Sequence, residues 1–275
     1  MANRSYLYSL DNRPASYADR PGTIGGLSEW PYDVPFIYRL LMSADPQRCA
    51  SLISDGLDGS PVPLHAISAP FDAGFERVSR FAAIVKTLIA LPEPEPATAA
   101  APPPENDKPT IARQVLQWLG VGTAPAEAAE APEAVAATKP TTVGSGYLRE
   151  ALDETLTFLE ENRDDYLLLE TVELDVMSES DPDALRALVG AEIERCRHVG
   201  AAFDALPADI TEAAKLLRQA AAASAPAPLD AFHGLRFDDA FDNTRTGETE
   251  CPLGLAWTDV LYFAPSDREE FQARE

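Results

Sequence analysis

The residues best suited to chemistry in this sequence stand close together over residues 232–242. An imidazole, His233, is followed by three carboxylates: Asp238, Asp239 and Asp242. Carboxylate oxygens bind hard cations, and an imidazole beside carboxylates suits acid–base catalysis. The segment lacks the glycine and the ligand register of a helix–loop–helix calcium site. We therefore favour an exposed acidic loop held by Phe237 and Phe241, and keep an enzyme site as the alternative.

Other catalytic and cofactor motifs are missing from the sequence. Cys196 and His198 lie two residues apart on a predicted helix, so their side chains point about 200° apart and do not suit one metal ion. The glycines at 22, 25 and 26 do not match a phosphate-binding or dinucleotide-binding loop, and no G-x-S-x-G string occurs. The sequence therefore predicts no catalytic residue, no metal ligand and no cofactor.

A second group of residues suits binding to another protein. The aromatic residues Trp30 and Tyr32 are flanked by the carboxylates Glu29 and Asp33. Packing of the two rings in the core is the simpler interpretation. The alternative is a partner pocket, because tryptophan and tyrosine are enriched at the energetic centres of protein interfaces. Asp238, Asp239 and Asp242 are candidate contacts of the same kind.

The charge of the chain restricts its partners. It has 275 residues with 45 acidic and 22 basic side chains, giving a formal net charge of −23. Such a chain repels nucleic acid and anionic membranes, so neither is an expected partner. Residues 147–275 carry 29 acidic and 11 basic side chains, whereas residues 1–93 carry 10 and 8. The acids either lie on solvated helix faces or attract a basic protein partner.

The cysteines and the apolar runs indicate a cytoplasmic protein. Cys49, Cys196 and Cys251 are odd in number and widely spaced, which favours reduced thiols over a disulfide framework. The N-terminal residues lack the apolar core of a signal peptide. No apolar run reaches the roughly 18 residues that a membrane-spanning helix needs.

Composition divides the chain into three parts. Residues 1–93 are the N-terminal part, residues 94–146 are a proline- and alanine-rich linker with a short helix near 110–120, and residues 147–275 are an acidic helical part. Apolar spacing predicts helices over 34–43, 71–91, 147–162, 182–205 and 207–223. It predicts strands over 3–9, 62–69, 166–177 and 253–263. Residues 12–33 read as a surface loop, and 46–54 as one or two helical turns.

These elements predict an α+β fold. We expect a mixed or antiparallel sheet that uses both chain termini, with helices packed on one face and the linker interrupting the body. If the first and last strands pair, Trp257 and Tyr262 bracket the same sheet. Whether 1–93 and 147–275 form one body or two is left open, but the strand-like segments at both ends favour a single α+β body, since both need a sheet to join.

Segments near the two ends of the sequence resemble a family of uncharacterised bacterial cytosolic proteins. The motifs on which the resemblance rests are ANRSYLYS at residues 2–9, the SEW-x-Y-x-V-P block within GLSEWPYDVPFIYRLLMS at 26–43 with Cys49, and LGLAWTDVLYF at 253–263. The family has no established activity. Proteins of this kind often accompany secreted bacterial toxins, which is an association and not a physical argument.

The combined expectation is a non-catalytic cytosolic protein-binding protein. The resemblance and the acidic half favour an immunity protein that neutralises a bacterial toxin domain by covering its basic active-site cleft. An enzyme with a site near 233–242 is the alternative, and an interaction module with another partner is a third. The sequence does not indicate an oligomeric state.

Overall fold

The computed structural model describes residues 3–92, 146–243 and 251–274. The described residues up to Leu91 and from Gly146 onwards belong to one compact unit. Apart from Gly146, the predicted linker over 94–146 lies outside the described residues, and so does its predicted helix near 110–120.

Five strands form one antiparallel sheet. The strands of the described chain are β1 (Arg4–Leu10), β2 (Ile24–Pro31), β3 (Gln47–Ala50), β4 (Gly56–Leu57), β5 (Ser60–Pro61), β6 (His65–Pro70) and β7 (Tyr166–Glu170). The sheet has the order β2–β1–β7–β6–β3, and β4 pairs with β5 in a separate ribbon. In the register of β1, Leu7 lies opposite Ser28 of β2 and Leu169 of β7. The edge strands are therefore β2 and β3.

Helices cover one face of this sheet. Those in the described chain are α1 (Phe36–Met42), α2 (Phe71–Ala90), α3 (Gly146–Glu161), α4 (Val172–Asp175), α5 (Pro182–Asp204), α6 (Ile210–Ala222) and α7 (Arg268–Gln272), with a 3₁₀ turn at Leu229–Phe232. Buried side chains of α1, α2, α3, α5 and α6 share one core with Leu7, Ile67 and Leu169 of the sheet. Side chains alternate between the two faces along a strand, and these three residues lie on the same face of the sheet. The apolar stripes of the helices pack against that face.

The opposite face carries a smaller core without a long helix. Tyr6 and Tyr8 of β1 both point to this side, with 6.2 Å between their ring centroids. Irregular chain covers them: the Tyr8 hydroxyl donates to the Phe263 carbonyl oxygen at 2.8 Å, and Leu261 packs nearby. Both ends of the chain thus contribute to the sheet layer.

The structure confirms the α+β class, the antiparallel sheet and the helices on one face. The predicted helices agree with α1, α2, α3, α5 and α6 to within a few residues. Asp181 caps α5, accepting hydrogen bonds from the amides of Asp183 and Ala184, with Pro182 in the first turn. The region predicted as a strand over 166–177 forms β7 and then the short helix α4.

Three local predictions are wrong. The loop predicted over 12–33 contains β2, whose paired glycines at 25 and 26 hid its strand character. The helical turns predicted over 46–54 are replaced by β3, a short edge strand with exposed polar residues. Residues 253–263 form no ladder strand; Gly254 has a φ of 81°, and the segment meets β2 through isolated bonds such as Thr258 N to Leu27 O at 3.1 Å.

Within the residues that the structure describes, none of the helices combines the length and apolarity required to span a membrane.

Candidate functional site

The segment from Glu29 to Asp33 closes the edge strand β2 and leads into α1. The Glu29 carboxylate pairs with Arg4, with 3.0 Å between Oε1 and Nε, and also accepts a 2.6 Å hydrogen bond from the Tyr262 amide. Trp30 is partly buried and packs against the main core. The segment therefore presents its acidic residues and Tyr32 at the surface while Trp30 fixes it to the body.

Tyr32 combines exposure with an uncommon backbone conformation. Its φ is 64°, in the left-handed region that non-glycine residues seldom adopt, and its side chain is 64% exposed. The Tyr32 amide donates to the Asn3 carbonyl oxygen at 2.9 Å, which holds the turn against β1. The next residue, Asp33, accepts a 2.7 Å hydrogen bond from the Val34 amide. The turn projects an aromatic ring into solvent instead of burying it.

Two further segments that carry exposed apolar side chains contact Arg4 at the start of β1. The Arg4 guanidinium stacks over the Tyr262 ring at 4.7 Å, and the Arg4 amide donates to Glu173 at 3.1 Å, just before the end of α4. We define the aromatic–acidic surface by the exposed or half-exposed residues of these segments: Glu29, Tyr32, Asp33, Val176, Met177, Val260 and Tyr262. It holds five of the six exposed large hydrophobic residues in the described chain, the sixth being Tyr147.

A polar depression of about 320 Å³ adjoins the aromatic–acidic surface. Tyr32 and Asp33 form one side of it, and charged groups of α1, α4 and α5 form the rest. Glu192 of α5 is buried and accepts hydrogen bonds from two arginines, at 2.7 Å from Arg39 and 2.5 Å from Arg195. The Arg39–Glu192 pair joins α1 to α5 beneath the exposed turn, whereas the Arg195–Glu192 pair lies within α5.

Asp175 lies in the same depression. Burial raises its pKa to about 6, against the opposing effect of a 2.7 Å hydrogen bond from the Thr171 hydroxyl. This side chain can therefore change its charge in mildly acidic solution.

The carboxylates near His233 have separate structural partners. Asp242 accepts hydrogen bonds from the amides of Gly254 at 2.6 Å and Leu255 at 3.0 Å, anchoring the C-terminal segment. Asp238 pairs with Arg236 at 2.8 Å.

The other two polar residues of that segment do not complete a site. Asp239 is exposed, and the buried Nδ1 of His233 has no hydrogen-bond partner. Across the described ranges, no cluster of three or more histidine, cysteine, aspartate or glutamate side chains could hold a metal ion. Asp238 is thus paired with an arginine and Asp242 with backbone amides, and the two carboxylates do not meet at one reaction centre.

Sequence reasoning missed the larger cavity, which lies at the opposite edge of the sheet beside β3. Its volume is about 670 Å³, and its lining includes the polar and charged residues Arg13, Arg48, Asp55 and His65. In the sequence, Arg13 lies in a predicted loop, Arg48 in predicted helical turns and His65 in a predicted strand, while Asp55 belongs to no predicted element. Only the pairing of β3 with β6, which sets Ala50 opposite His65, brings them together.

Comparison with known proteins gives one match. A family model described as a domain of unknown function (DUF7822) matches residues 11–103, a range that includes the Glu29–Asp33 segment. This is consistent with an uncharacterised family and assigns no activity. No curated protein and no solved structure matches the chain significantly.

Proposed function

We propose that this protein is a non-catalytic protein-binding protein that docks a basic partner on its aromatic–acidic surface. The observation that carries the proposal is Tyr32, exposed on a left-handed backbone between Glu29 and Asp33. A bulky residue in this conformation costs on the order of 1–2 kcal/mol, and such strain gathers at functional positions.

The composition of the surface suits an interface. Tyrosine and methionine are enriched at the centres of protein interfaces, where their large contact areas are desolvated. Tyr32 and Tyr262 are 64% and 59% exposed, so both rings are accessible to a partner without unfolding any element. The Asp33 carboxylate is 52% exposed beside Arg39 and can meet a cationic side chain at the rim, whereas Glu29 is already paired with Arg4.

The charge of the chain supports a basic partner. Residues 147–275 carry 29 acidic against 11 basic side chains. A field of this sign accelerates encounter with a positively charged protein and makes the association rate sensitive to salt. Asp239, exposed on its own loop, is a further candidate contact outside the aromatic–acidic surface.

The finer form of the proposal is an immunity protein acting in the bacterial cytoplasm. The partner is then a toxin domain with a basic active-site cleft, and the mechanism is occlusion of that cleft. The terminal motifs that resemble a bacterial family and the acidic C-terminal part support this form. It requires that the bound partner lose its activity while the protein itself turns over no substrate.

The test is capture of partners from the native host, followed by calorimetry with each purified partner. We expect a basic protein whose affinity falls as salt rises. Replacing Tyr32→Ala and Tyr262→Ala together should weaken binding by at least about tenfold. Tyr147→Ala is the matched control, because Tyr147 is 60% exposed but lies outside the surface.

Two results would count against the proposal. One is a partner that binds the double variant and the wild type equally well. The other is recovery of no basic partner when a neighbouring gene encodes no toxin. If the surface variants lose binding but the partner keeps its activity in the complex, docking stands and the immunity role is rejected.

A further inference from the structure

The cavity beside β3 has the dimensions of a small-molecule site. Its volume of about 670 Å³ falls within the range of roughly 300–1,000 Å³ that is typical of ligand pockets. Apolar side chains form much of its wall, among them Pro14, Pro61, Pro63 and Leu64. The ring of Tyr17 lines the cavity as well. An apolar group of ligand size would therefore be well accommodated.

Basic groups gather at this cavity although the chain as a whole is acidic. Its lining contains two arginines, Arg13 and Arg48, and one carboxylate, Asp55. Among the described residues, the structure gives neither a hydrogen bond nor an ion pair to the side chain of Arg48. Most other basic side chains in the described chain have carboxylate or carbonyl partners. The guanidinium of Arg48 is thus available to an anionic ligand.

Arg13 is held at the cavity by contacts within the protein. Its Nη1 donates to the side-chain oxygen of Gln47, and its guanidinium lies 5.2 Å from the Tyr166 ring centroid. Its Nε is buried and has no hydrogen-bond partner. Gln47 and Arg48 are successive residues of β3 and point to opposite faces of the sheet. Arg13 therefore adds positive charge near the cavity, and Arg48 is the arginine that can contact a ligand.

His65 adds a polar group that stays uncharged at neutral pH. Burial lowers its pKa, and the positive charges of Arg48 and Arg186 lower it further. Arg48 and Arg186 therefore both place positive charge near the His65 ring. A neutral imidazole can donate or accept a hydrogen bond at the cavity wall.

The walls are fixed before any ligand arrives. The Ala50 amide donates to the Pro14 carbonyl oxygen at 3.1 Å, tying the loop that contains Arg13 to β3. Beyond β3, the Arg20 guanidinium donates to the Leu52 carbonyl oxygen at 2.9 Å. Binding would consequently require little ordering of the chain, which favours affinity.

We propose that this cavity binds a small organic anion whose carboxylate or phosphate group meets the guanidinium of Arg48 and whose apolar body contacts the proline-lined wall. Arginine recognises both oxyanions through its planar set of N–H donors. The site lies at the opposite edge of the sheet from the aromatic–acidic surface. It does not depend on the proposed docking function, and the two can fail separately.

The test uses four probes on the full-length protein: phenylacetate, phenyl phosphate, benzyl alcohol and inorganic phosphate. Binding is followed by calorimetry and by amide chemical shifts, with shifts expected at Ala50 and His65. At millimolar concentration, at least one of the two ring-bearing anions should bind, and it should bind more tightly than both benzyl alcohol and inorganic phosphate. Comparing phenylacetate with phenyl phosphate then shows which oxyanion the site prefers.

Variants connect binding to the named side chains. Arg48→Gln should weaken binding of the anion by about tenfold. Arg149→Gln is the matched control, because it makes the same charge change on α3 and should leave affinity unchanged. Ala15→Trp, from the exposed loop at the cavity rim, should block binding without altering the charge.

The proposal is overturned if neither ring-bearing anion binds at millimolar concentration, or if benzyl alcohol binds as tightly as the anions. It is also overturned if Arg149→Gln weakens binding as much as Arg48→Gln. Equal urea midpoints for wild type and variants confirm that a loss of binding does not reflect unfolding.

Discussion

The carboxylate of Glu170 accepts a hydrogen bond of 2.6 Å from the Leu52 amide. A second bond of 2.9 Å comes from the Ser51 hydroxyl, so the central strand β7 holds the chain that follows the edge strand β3. Glu170 has no solvent exposure, and burial raises its pKa to about 7 despite these two hydrogen bonds. A structural contact in the sheet layer is therefore coupled to protonation near neutral pH.

This coupling predicts a pH dependence of stability. The unfolded chain loses the Glu170 proton near its ordinary pKa of 4.5, whereas the folded chain keeps it to about pH 7. The contribution to stability is therefore complete below about pH 4.5 and is lost as pH rises to about 7, by up to about 3 kcal/mol. In urea titrations, the free-energy difference between wild type and Glu170→Gln should change by this order between pH 5 and pH 8. A difference that does not vary with pH contradicts the prediction.

A second prediction concerns two glutamates on α5. Glu192 has 6% side-chain exposure and pairs with Arg39, whereas Glu194 has 68% exposure and pairs with Arg197. Glu192→Gln leaves a partly buried guanidinium without its carboxylate, so we expect a loss of about 2–4 kcal/mol. Glu194→Gln removes a solvated pair and should cost less than about 1 kcal/mol. Equal losses in urea unfolding would show that burial does not govern these pairs.

The sequence predicted those helices and strands whose apolar residues recur at a regular spacing. Residues Val78, Phe81 and Val85 recur at helical spacing and are all buried in α2, and the Asp181-Pro182 signal marks the start of α5. The strand β1 was recognised because polar and apolar positions alternate. In each case local spacing already contained the information that decides the element.

Non-local contacts decide the parts that the sequence did not predict. The strand β2 has weak local propensity and forms because β1 pairs along its whole length. Residues 253–263 have the composition of a strand. They stay irregular because Gly254 has a positive φ and because Thr258 donates only an isolated backbone hydrogen bond to β2. Asp242 was predicted as a surface carboxylate. It accepts hydrogen bonds from the backbone amides of residues more than ten positions later, and no spacing rule in the sequence reveals such a contact.

Two helical glycines, Gly74 and Gly190, should respond oppositely to alanine. At Gly74 of α2 an added Cβ would lie 2.3 Å from the Leu41 carbonyl oxygen, so α1 and α2 would have to separate. At Gly190 of α5 an added Cβ meets nothing within 4 Å. We expect Gly74→Ala to lower the free energy of unfolding by about 1–3 kcal/mol, and Gly190→Ala to raise it by about 0.5–1 kcal/mol. Thermal unfolding of both variants checks the two signs together.

Substitutions at Tyr32 separate backbone strain from the role of its ring. Glycine adopts a φ of 64° without a steric cost, so Tyr32→Gly should stabilise the fold by up to about 1 kcal/mol. Tyr32→Ala removes the same exposed ring but keeps the strained backbone, and should give no such gain. Both variants should lose affinity for the basic partner equally, because the ring supplies the contact. If Tyr32→Gly is no more stable than Tyr32→Ala in urea unfolding, the turn stores no strain, and exposure alone would then have to explain the position of this tyrosine.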